Sequence, residues 1–438
     1  MNQSNDTRER WVFLFLALFF IIYALFHTTA YFEELSLPVP IKLSMTTIGL
    51  CFFCFAVYLS LMIGKEESGG PFPLESQKWI VLFVLSILLM SAVGLYLNNP
   101  IGLFYMDFEG VMILFGSLLL GARRKNWEYI DKLILLLLAY GLILNIASLP
   151  MIKSVLREDT EGSVTNKLQV LIYPTLFYIY LFKYRARRLD KVIIMATFVL
   201  FIIEQILFQK RLPSARIIFT LFLMTYIQNL ATNPSFWNYL HTVIKRVLLI
   251  GVPVAVAILI ISNIFGLRIT ESFKVYNERV TGKYGVVHNL VYDTRYYIGA
   301  VVVEDRITSK SFIRGKGFGG YLLDPRLYWT VDTGEGQFNG TTQIEIGQTW
   351  PVWKGGLLFW IGINALYISL AKRFRKYRNS QFSLACWAFV LTQFIFLMGE
   401  NIWTGPYQFF IILIGASIGH LLGRNAEQEF NMGGRLML

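Results

Sequence analysis

The chain has 438 residues, of which 55% are hydrophobic and only 16% are charged, and its mean hydropathy is +0.52. Because a soluble domain carries about 25% charged residues, this composition excludes a soluble protein. The net charge of +12 could suggest nucleic-acid binding, but the lysines and arginines cluster between hydrophobic runs and form no continuous basic face. We therefore predict an integral membrane protein without a nucleic-acid partner.

Apolar stretches recur along the whole chain, and most are long enough to cross a hydrocarbon core of about 30 Å as a helix. They predict an all-α fold with about twelve transmembrane helices. The fourth is the least regular, because Asp107 and Glu109 interrupt it. Cys51, Cys54 and Cys386 fall inside apolar runs and are predicted to be small core residues. The predicted spans are 11–28, 41–63, 79–97, 102–121, 133–149, 168–182, 191–208, 214–230, 247–265, 351–371, 382–399 and 405–423.

One connection is far longer than the others. Residues 266–350 separate the first nine predicted spans, within 1–265, from the last three, within 351–438. Connections beyond about 15 residues are usually functional or disordered. This one is rich in Tyr, Val, Trp and Gly, so we predict a folded cap over one integrated membrane domain. Apolar residues at near-helical spacing in 286–306 predict a helix lying on the membrane interface.

Basic residues concentrate in alternate connections, which predicts the orientation of the chain. Cytoplasmic loops carry an excess of lysine and arginine. We therefore expect both termini to be cytoplasmic and the loop 266–350 to lie outside. The basic connections lie near residues 8–10, 123–125, 183–188, 245–246 and 372–378.

Some basic residues are predicted to lie outside, against this rule, and need another explanation. An anionic substrate at the outer surface would supply one, because guanidinium groups make charged bidentate contacts with phosphate. The alternative is contact with lipid headgroups, or salt bridges with Glu304 and Asp305. These basic residues are Arg211 and Arg216, which flank a Pro-Ser turn before a span, and Arg295, Arg306, Arg314 and Lys316 in the large loop.

The loop also contains the glycine-rich run Gly315-Lys316-Gly317-Phe318-Gly319-Gly320. It has the G-x-G-x-x-G spacing but lacks the βαβ context of a dinucleotide site. Converging backbone N–H groups could form an anion nest here, with Gly315 and Gly317 in the turn and charge added by Arg314 and Lys316. A flexible hinge is the alternative.

Two carboxylates could serve as a general base. Glu345 lies shortly before the tenth predicted span and Glu400 at the outer end of the eleventh. A partly desolvated carboxylate at a membrane edge is suited to accept a proton. For Glu400 the alternative is a simple interfacial residue near Trp403. His288 is the only histidine of the large loop, and because metal ligands normally occur in groups we predict no metal site.

Three further carboxylates lie inside predicted spans. Asp107 and Glu109 are in the fourth and Glu204 is in the seventh. Such groups are expensive in lipid, so they are predicted to face the bundle or a cavity, as structural partners of basic residues.

The number of spans, the long outer loop between late spans and the arginines at its borders resemble the bacterial O-antigen polymerase and O-antigen ligase family. The likeness in topology covers nearly the whole chain, but the matching motifs are short. They are Pro213-Ser214-Ala215-Arg216 before a span, Asp293-Thr294-Arg295-Tyr296-Tyr297, and Gly315-Lys316-Gly317-Phe318-Gly319.

This chain departs from the family's pattern at one position, and the departure bears on which of the two branches it resembles. The ligases often have a His-Asn pair about ten residues before a Gly-rich span start, which is Lys354-Gly355-Gly356-Leu357 here. Counting back reaches Glu345 and no histidine. Either Glu345 replaces the histidine, or the chain belongs to the polymerase branch, which we favour.

The resemblance implies a membrane glycosyltransferase, similar in architecture to the GT-C class, in the bacterial cytoplasmic membrane. It would polymerise undecaprenyl-pyrophosphate-linked oligosaccharides on the outer face, without metal or cofactor and with a chain-length regulator as a candidate partner. Catalysis would fall to Glu345, Arg216, Arg295 and Glu400. The pyrophosphate or glycan would be bound by Arg211, Arg314, Lys316, Gly315, Gly317 and His288.

Two other functional classes remain open. A polysaccharide flippase also has about twelve spans, but it is expected to have short loops and charged residues along a central cavity. A membrane O-acyltransferase would need an intramembrane histidine, which the chain lacks at a suitable place.

Overall fold

The structure is a computed structural model. It describes residues 2–31, 39–68, 72–155, 174–179, 181, 187–207, 222, 226, 311, 313–323, 330–332, 337–341, 349–372, 380–397 and 408–423. Of these residues 88% are helical, which confirms a mainly helical fold. The helices are α1 (Asn2–Tyr31), α2 (Val39–Ser68), α3 (Leu74–Tyr96), α4 (Ile101–Gly121), α5 (Arg124–Val155), α6 (Arg188–Leu207), α7 (Thr349–Lys372), α8 (Gln381–Phe396) and α9 (Gln408–Leu422).

Each of these helices coincides with a predicted span. Within the described part of the chain, α1, α2, α3, α4 and α7 are long and apolar enough to cross a membrane, and α8 and α9 are shorter apolar helices. The predicted spans 214–230 and 247–265 lie outside the described residues, apart from 222 and 226. The total of twelve spans stays a prediction.

The surfaces of the helices support the prediction of a membrane protein. Helix α3 is the clearest case, because Leu85, Leu88 and Leu95 are 58%, 60% and 61% exposed. Water would make such a continuous apolar surface an aggregation site, whereas lipid tails solvate it. Cys51 and Cys54 of α2 are also exposed, so the prediction that they are core residues is wrong. Cys386 is buried, as predicted.

Helix α4 is the centre of the described bundle, although its sequence made it the least regular span. It packs against α2, α3, α5 and α9, and Asp107 and Glu109 are both buried, with exposed fractions of 4% and 7%. The prediction that these carboxylates face the bundle is therefore confirmed. The contact with α9 is close because glycines face it: a Cβ atom added to Gly415 would lie 2.5 Å from the carbonyl oxygen of Leu114.

One end of the bundle gathers the polar residues of several helix ends. Glu9 of α1 forms ion pairs with Arg123, at 3.8 Å, and with Lys125. The amide of Asn126 donates to the hydroxyl of Ser60 at 2.6 Å, and the hydroxyl of Ser383 lies 2.9 Å from Nε2 of His420. These contacts place the starts of α1 and α5 beside the ends of α2 and α4, and the start of α8 beside the end of α9. The neighbours α1 and α2, α4 and α5, and α8 and α9 therefore run in opposite directions.

The long loop contains strands, so the all-α prediction is wrong for this part. Strands β1 (Leu322–Leu323), β2 (Thr330–Asp332) and β3 (Gln337–Thr341) form an antiparallel sheet in the order β1-β3-β2. Each strand has five residues or fewer, too short for an alternating pattern to show in the sequence. The predicted interfacial helix 286–306 lies outside the described residues.

Candidate functional site at the glycine segment

Residues 315–320, the glycine segment, lie inside the bundle rather than above it. The segment packs at the end of the bundle opposite the Glu9 cluster, between α3, α4 and α7. Lys316 and Gly317 donate their backbone N–H groups to the carbonyls of Trp353 and Lys354, at 2.8 and 2.9 Å. Phe318 donates to the carbonyl of Met90 at 3.0 Å. These backbone bonds therefore join the long loop to α7 and to α3.

Backbone conformation explains why glycine occupies these positions. Gly315, Gly317 and Gly319 each have φ of 71°, a left-handed conformation that side chains disfavour. Space is equally restrictive, since a Cβ atom on Gly317 would lie 2.6 Å from the Cα of Gly94 and from the carbonyl oxygen of Met90. Gly356, with φ of 71° and ψ of −175°, kinks α7 where the segment enters.

A buried ion pair fixes the inner side of the segment. Nζ of Lys354 lies 2.6 Å from Oδ2 of Asp107, and the two side chains are 1% and 5% exposed. The ammonium group also donates to the carbonyl of Gly320 at 2.6 Å and lies 4.3 Å from the centre of the Trp353 ring. The backbone N–H of Gly319 donates to the same carboxylate oxygen at 2.8 Å. Asp107 and Lys354 therefore connect α4, α7 and the loop.

The turn between α3 and α4 holds the segment from a further side. Nδ2 of Asn99 donates to the carbonyls of Lys316 and Phe318, at 2.8 and 2.7 Å. The ring of Phe318 is fully buried and meets the rings of Phe104 and Phe108 edge-on, with centroids 5.6 and 5.8 Å apart. The segment is thus held by polar contacts along its backbone and by aromatic contacts at the side chain of Phe318.

This geometry differs from both interpretations of the glycine run. The N–H groups of residues 315–320 donate to protein acceptors, including the carbonyl of Ser311 for Gly315 and that of Gly317 for Gly320. An anion nest would need these N–H groups to point to a ligand, so it could form only after these bonds break. A hinge would need few contacts, whereas this segment has many.

The two basic side chains at the start of the segment differ in exposure. Arg314 is exposed, so its guanidinium group is accessible for an anion. Lys316 is half-buried, and its ammonium group donates to the carbonyl of Tyr321 at 3.1 Å. Of the predicted binding residues, these two and Gly315 and Gly317 are the ones that the structure brings together.

The remaining predicted site residues lie outside the described residues, as does the side chain of Glu204, whose backbone belongs to α6. These predicted residues are Glu345, Arg216, Arg295, Glu400, Arg211 and His288.

Sequence reasoning missed two residues of this site. Lys354 was noted only as part of a span start, although a lysine six residues into an apolar helix requires an acidic partner just as Asp107 requires a basic one. Matching the two would have predicted the pair. Asn99 carried no signal, because an asparagine before proline is typical of any turn.

A second buried carboxylate lies on a different face of α4. Tyr23 of α1 donates its hydroxyl to Oε1 of Glu109. The same hydroxyl lies 3.5 Å from the carbonyl of Thr46 in α2. This group joins α1, α2 and α4 and is separate from the glycine segment, which Asp107 contacts.

No protein-family model matches the chain, and no curated protein matches it.

Replacing Gly317 by Ala is expected to destabilise the protein, because the added methyl group would meet the backbone of α3. The alanine would also have to keep the left-handed conformation of Gly317, which alone costs about 1–2 kcal/mol. The matched control is Gly102→Ala, since a Cβ atom there has nothing within 4 Å. Thermal unfolding of both purified variants in detergent tests this. Equal unfolding temperatures for the two variants would contradict the packing described here.

Proposed function

We propose that this protein is a membrane glycosyltransferase that polymerises undecaprenyl-pyrophosphate-linked oligosaccharide repeat units on the outer face of the bacterial cytoplasmic membrane. The observation that carries the proposal is the attachment of the long loop to α3, α4 and α7 by the glycine segment. This attachment holds Arg314 at the end of the bundle that the charge pattern assigns to the outside. A cap fixed to the membrane domain can hold two lipid-linked substrates in one geometry, which is a large part of transfer catalysis.

The proposed reaction needs no cofactor. A hydroxyl oxygen of the acceptor glycan attacks the anomeric carbon of the donor, the carbon–oxygen bond to the pyrophosphate breaks, and undecaprenyl pyrophosphate leaves. Arg216, Arg295, Arg211 and Arg314 would stabilise the charge that grows on the leaving group. Glu345 would accept the proton of the attacking hydroxyl, with Glu400 as the second candidate and His288 near the glycan.

A transporter is the second candidate function, and the buried Asp107, Glu109 and Lys354 favour it. Ionisable groups within a membrane often mark the path of an ion or substrate. Against it, Asp107 and Lys354 are engaged with each other and with the glycine segment. Alternating access requires one part of the bundle to rock against another, and a contact joining three helices opposes such motion.

Purified protein supplied with a lipid-linked repeat unit is expected to form polymer without ATP, nucleotide sugar or added metal, since the pyrophosphate is already an activated leaving group. Gel analysis of the glycan measures the product. If the protein instead moves the lipid between the leaflets of liposomes and joins nothing, the transporter takes the place of the polymerase.

The glycan profile of a deletion strain separates the polymerase from the ligase. Loss of long chains with single repeat units retained supports the polymerase. Unattached polymer supports a ligase that transfers finished polymer to a lipid acceptor.

A further inference from the structure

Gln393 of α8 is a buried polar residue that the fold does not explain. It is 1% exposed, and neither its amide nitrogen nor its amide oxygen has a hydrogen-bond partner among the described residues. Phe389, Val390 and Leu397, on the same face of the helix, are apolar and buried. A buried amide without partners is costly, so its presence points to a ligand.

A second amide lies at the same end of the helix pair. Ser383 contacts His420 and Phe389 contacts Phe410, so α8 and α9 run antiparallel. Gln393 is one helical turn beyond Phe389, and Gln408 is two residues before Phe410. The Oε1 atom of Gln408 is also buried without a partner among the described residues. Two amides therefore lie toward one end of α8 and α9, the end that the charge pattern assigns to the outside.

Buried serine and threonine hydroxyls on helices have a simpler explanation than these amides. A hydroxyl on a helix can donate to the carbonyl four residues earlier, as Thr392 does to Ala388 at 2.8 Å. A glutamine amide has two donor hydrogens and an oxygen with two lone pairs, and no such local bond is formed by Gln393. Its hydrogen-bonding capacity is therefore available to a ligand.

The chemistry of an amide selects the class of ligand. An anion is best met by cationic donors, and a metal ion by several charged or oxygen ligands. The two amides provide neither a charge nor a full ligand set. They offer donors together with acceptors, and a neutral hydroxyl group also donates and accepts. Sugars present many such groups.

We infer that Gln393, with Gln408, binds hydroxyl groups of a sugar at the outer end of α8 and α9. The inference rests on the proposed function for the source of that sugar, which is the lipid-linked glycan. It assigns the neutral part of this substrate to α8 and α9 and leaves the pyrophosphate to the arginines proposed above.

The test measures how tightly the purified full-length protein binds the repeat-unit oligosaccharide of the bacterium that produces it. The oligosaccharide is released from its lipid by mild acid. Gln393→Leu replaces the amide by an apolar side chain of similar size, and Thr392→Val is the matched control, because the Thr392 hydroxyl is already bonded within its helix. Titration followed by tryptophan fluorescence is expected to show binding weakened at least about tenfold in the leucine variant, as for loss of one or two hydrogen bonds. The valine variant should bind like wild type.

Thermal unfolding of the same samples separates a binding role from a structural one. Gln393→Leu should unfold at the wild-type temperature or above, since it removes an unpartnered amide. A markedly lower unfolding temperature would overturn the inference, because the amide would then have a partner within the protein. Unchanged oligosaccharide binding by the leucine variant would overturn it as well.

The polymerisation assay keeps this inference distinct from the proposed function. A wild-type protein that polymerises lipid-linked units without binding the released oligosaccharide would refute the sugar site alone. A protein that binds the oligosaccharide through Gln393 but joins nothing would support the site and refute the polymerase.

Discussion

Replacing Lys354 by Met is expected to destabilise the protein by about 3–5 kcal/mol, because removing one partner of a buried ion pair leaves the other charge uncompensated. Asp107 would keep only the N–H of Gly319 among the contacts described above. The carbonyl of Gly320 would also lose its donor. Thermal unfolding of the purified variant in detergent measures the loss, and Lys372→Met, at the exposed end of α7, is the matched control.

A double-mutant cycle makes this prediction specific to the pair. Asp107→Asn keeps an acceptor for Gly319 and removes the charge, so it should also destabilise the protein. Combined with Lys354→Met it should cost less than the sum of the two single changes, because the double variant has no unpaired charge. Additive losses would mean that the two groups do not interact, and a Lys354→Met variant as stable as Lys372→Met would contradict the buried pair itself.

The helices of this protein could be predicted well because the bilayer simplifies the problem. A span needs about 20 apolar residues in succession, and such runs are visible without knowledge of their neighbours. The charge pattern predicted that the basic connections near residues 8–10 and 123–125 share one side, and the contacts of Glu9 with Arg123 and Lys125 place them at one end of the bundle. That this end is cytoplasmic stays a prediction.

The face that each helix turns to its neighbours could not be read in the same way. Lipid tails and protein interior are equally apolar, so Cys51 and Cys54 looked like core residues and lie on an outer face instead. Buried charges are the exception, because lipid cannot hold them. For this reason Asp107 and Glu109 could be assigned to the interior correctly.

The glycine segment shows where sequence reasoning stopped. Its glycines predicted either an anion nest or a flexible hinge, and Gly315, Gly317 and Gly319 have positive φ. The N–H groups of residues 316–319 find their partners in α3, α4 and α7, far away in the sequence. A local motif cannot reveal such partners, so an anion nest and a tertiary contact looked alike.

Changing Glu345 to Gln is expected to slow polymerisation by about 10²–10⁴-fold, the usual cost of losing a general base. Glutamine keeps the size and much of the hydrogen bonding of the carboxylate but cannot take the proton of the attacking hydroxyl. Glu345 lies four residues before Thr349, where α7 begins, and α7 carries the Lys354 that joins the loop to the bundle. Single-turnover formation of the first glycan–glycan bond, with the purified protein and a lipid-linked repeat unit, measures the rate.

Binding of the lipid-linked unit is the control for this variant, because a base acts on the transfer step and not on affinity. The Gln variant should therefore bind the unit like wild type, and Glu345→Asp should retain part of the activity, since it keeps a carboxylate at a changed distance. Weakened binding with an unchanged rate for the bound unit would make Glu345 a substrate contact. If the Gln variant turns over at the wild-type rate, the base lies elsewhere, and the same comparison at Glu400 and His288 decides between the two remaining candidates.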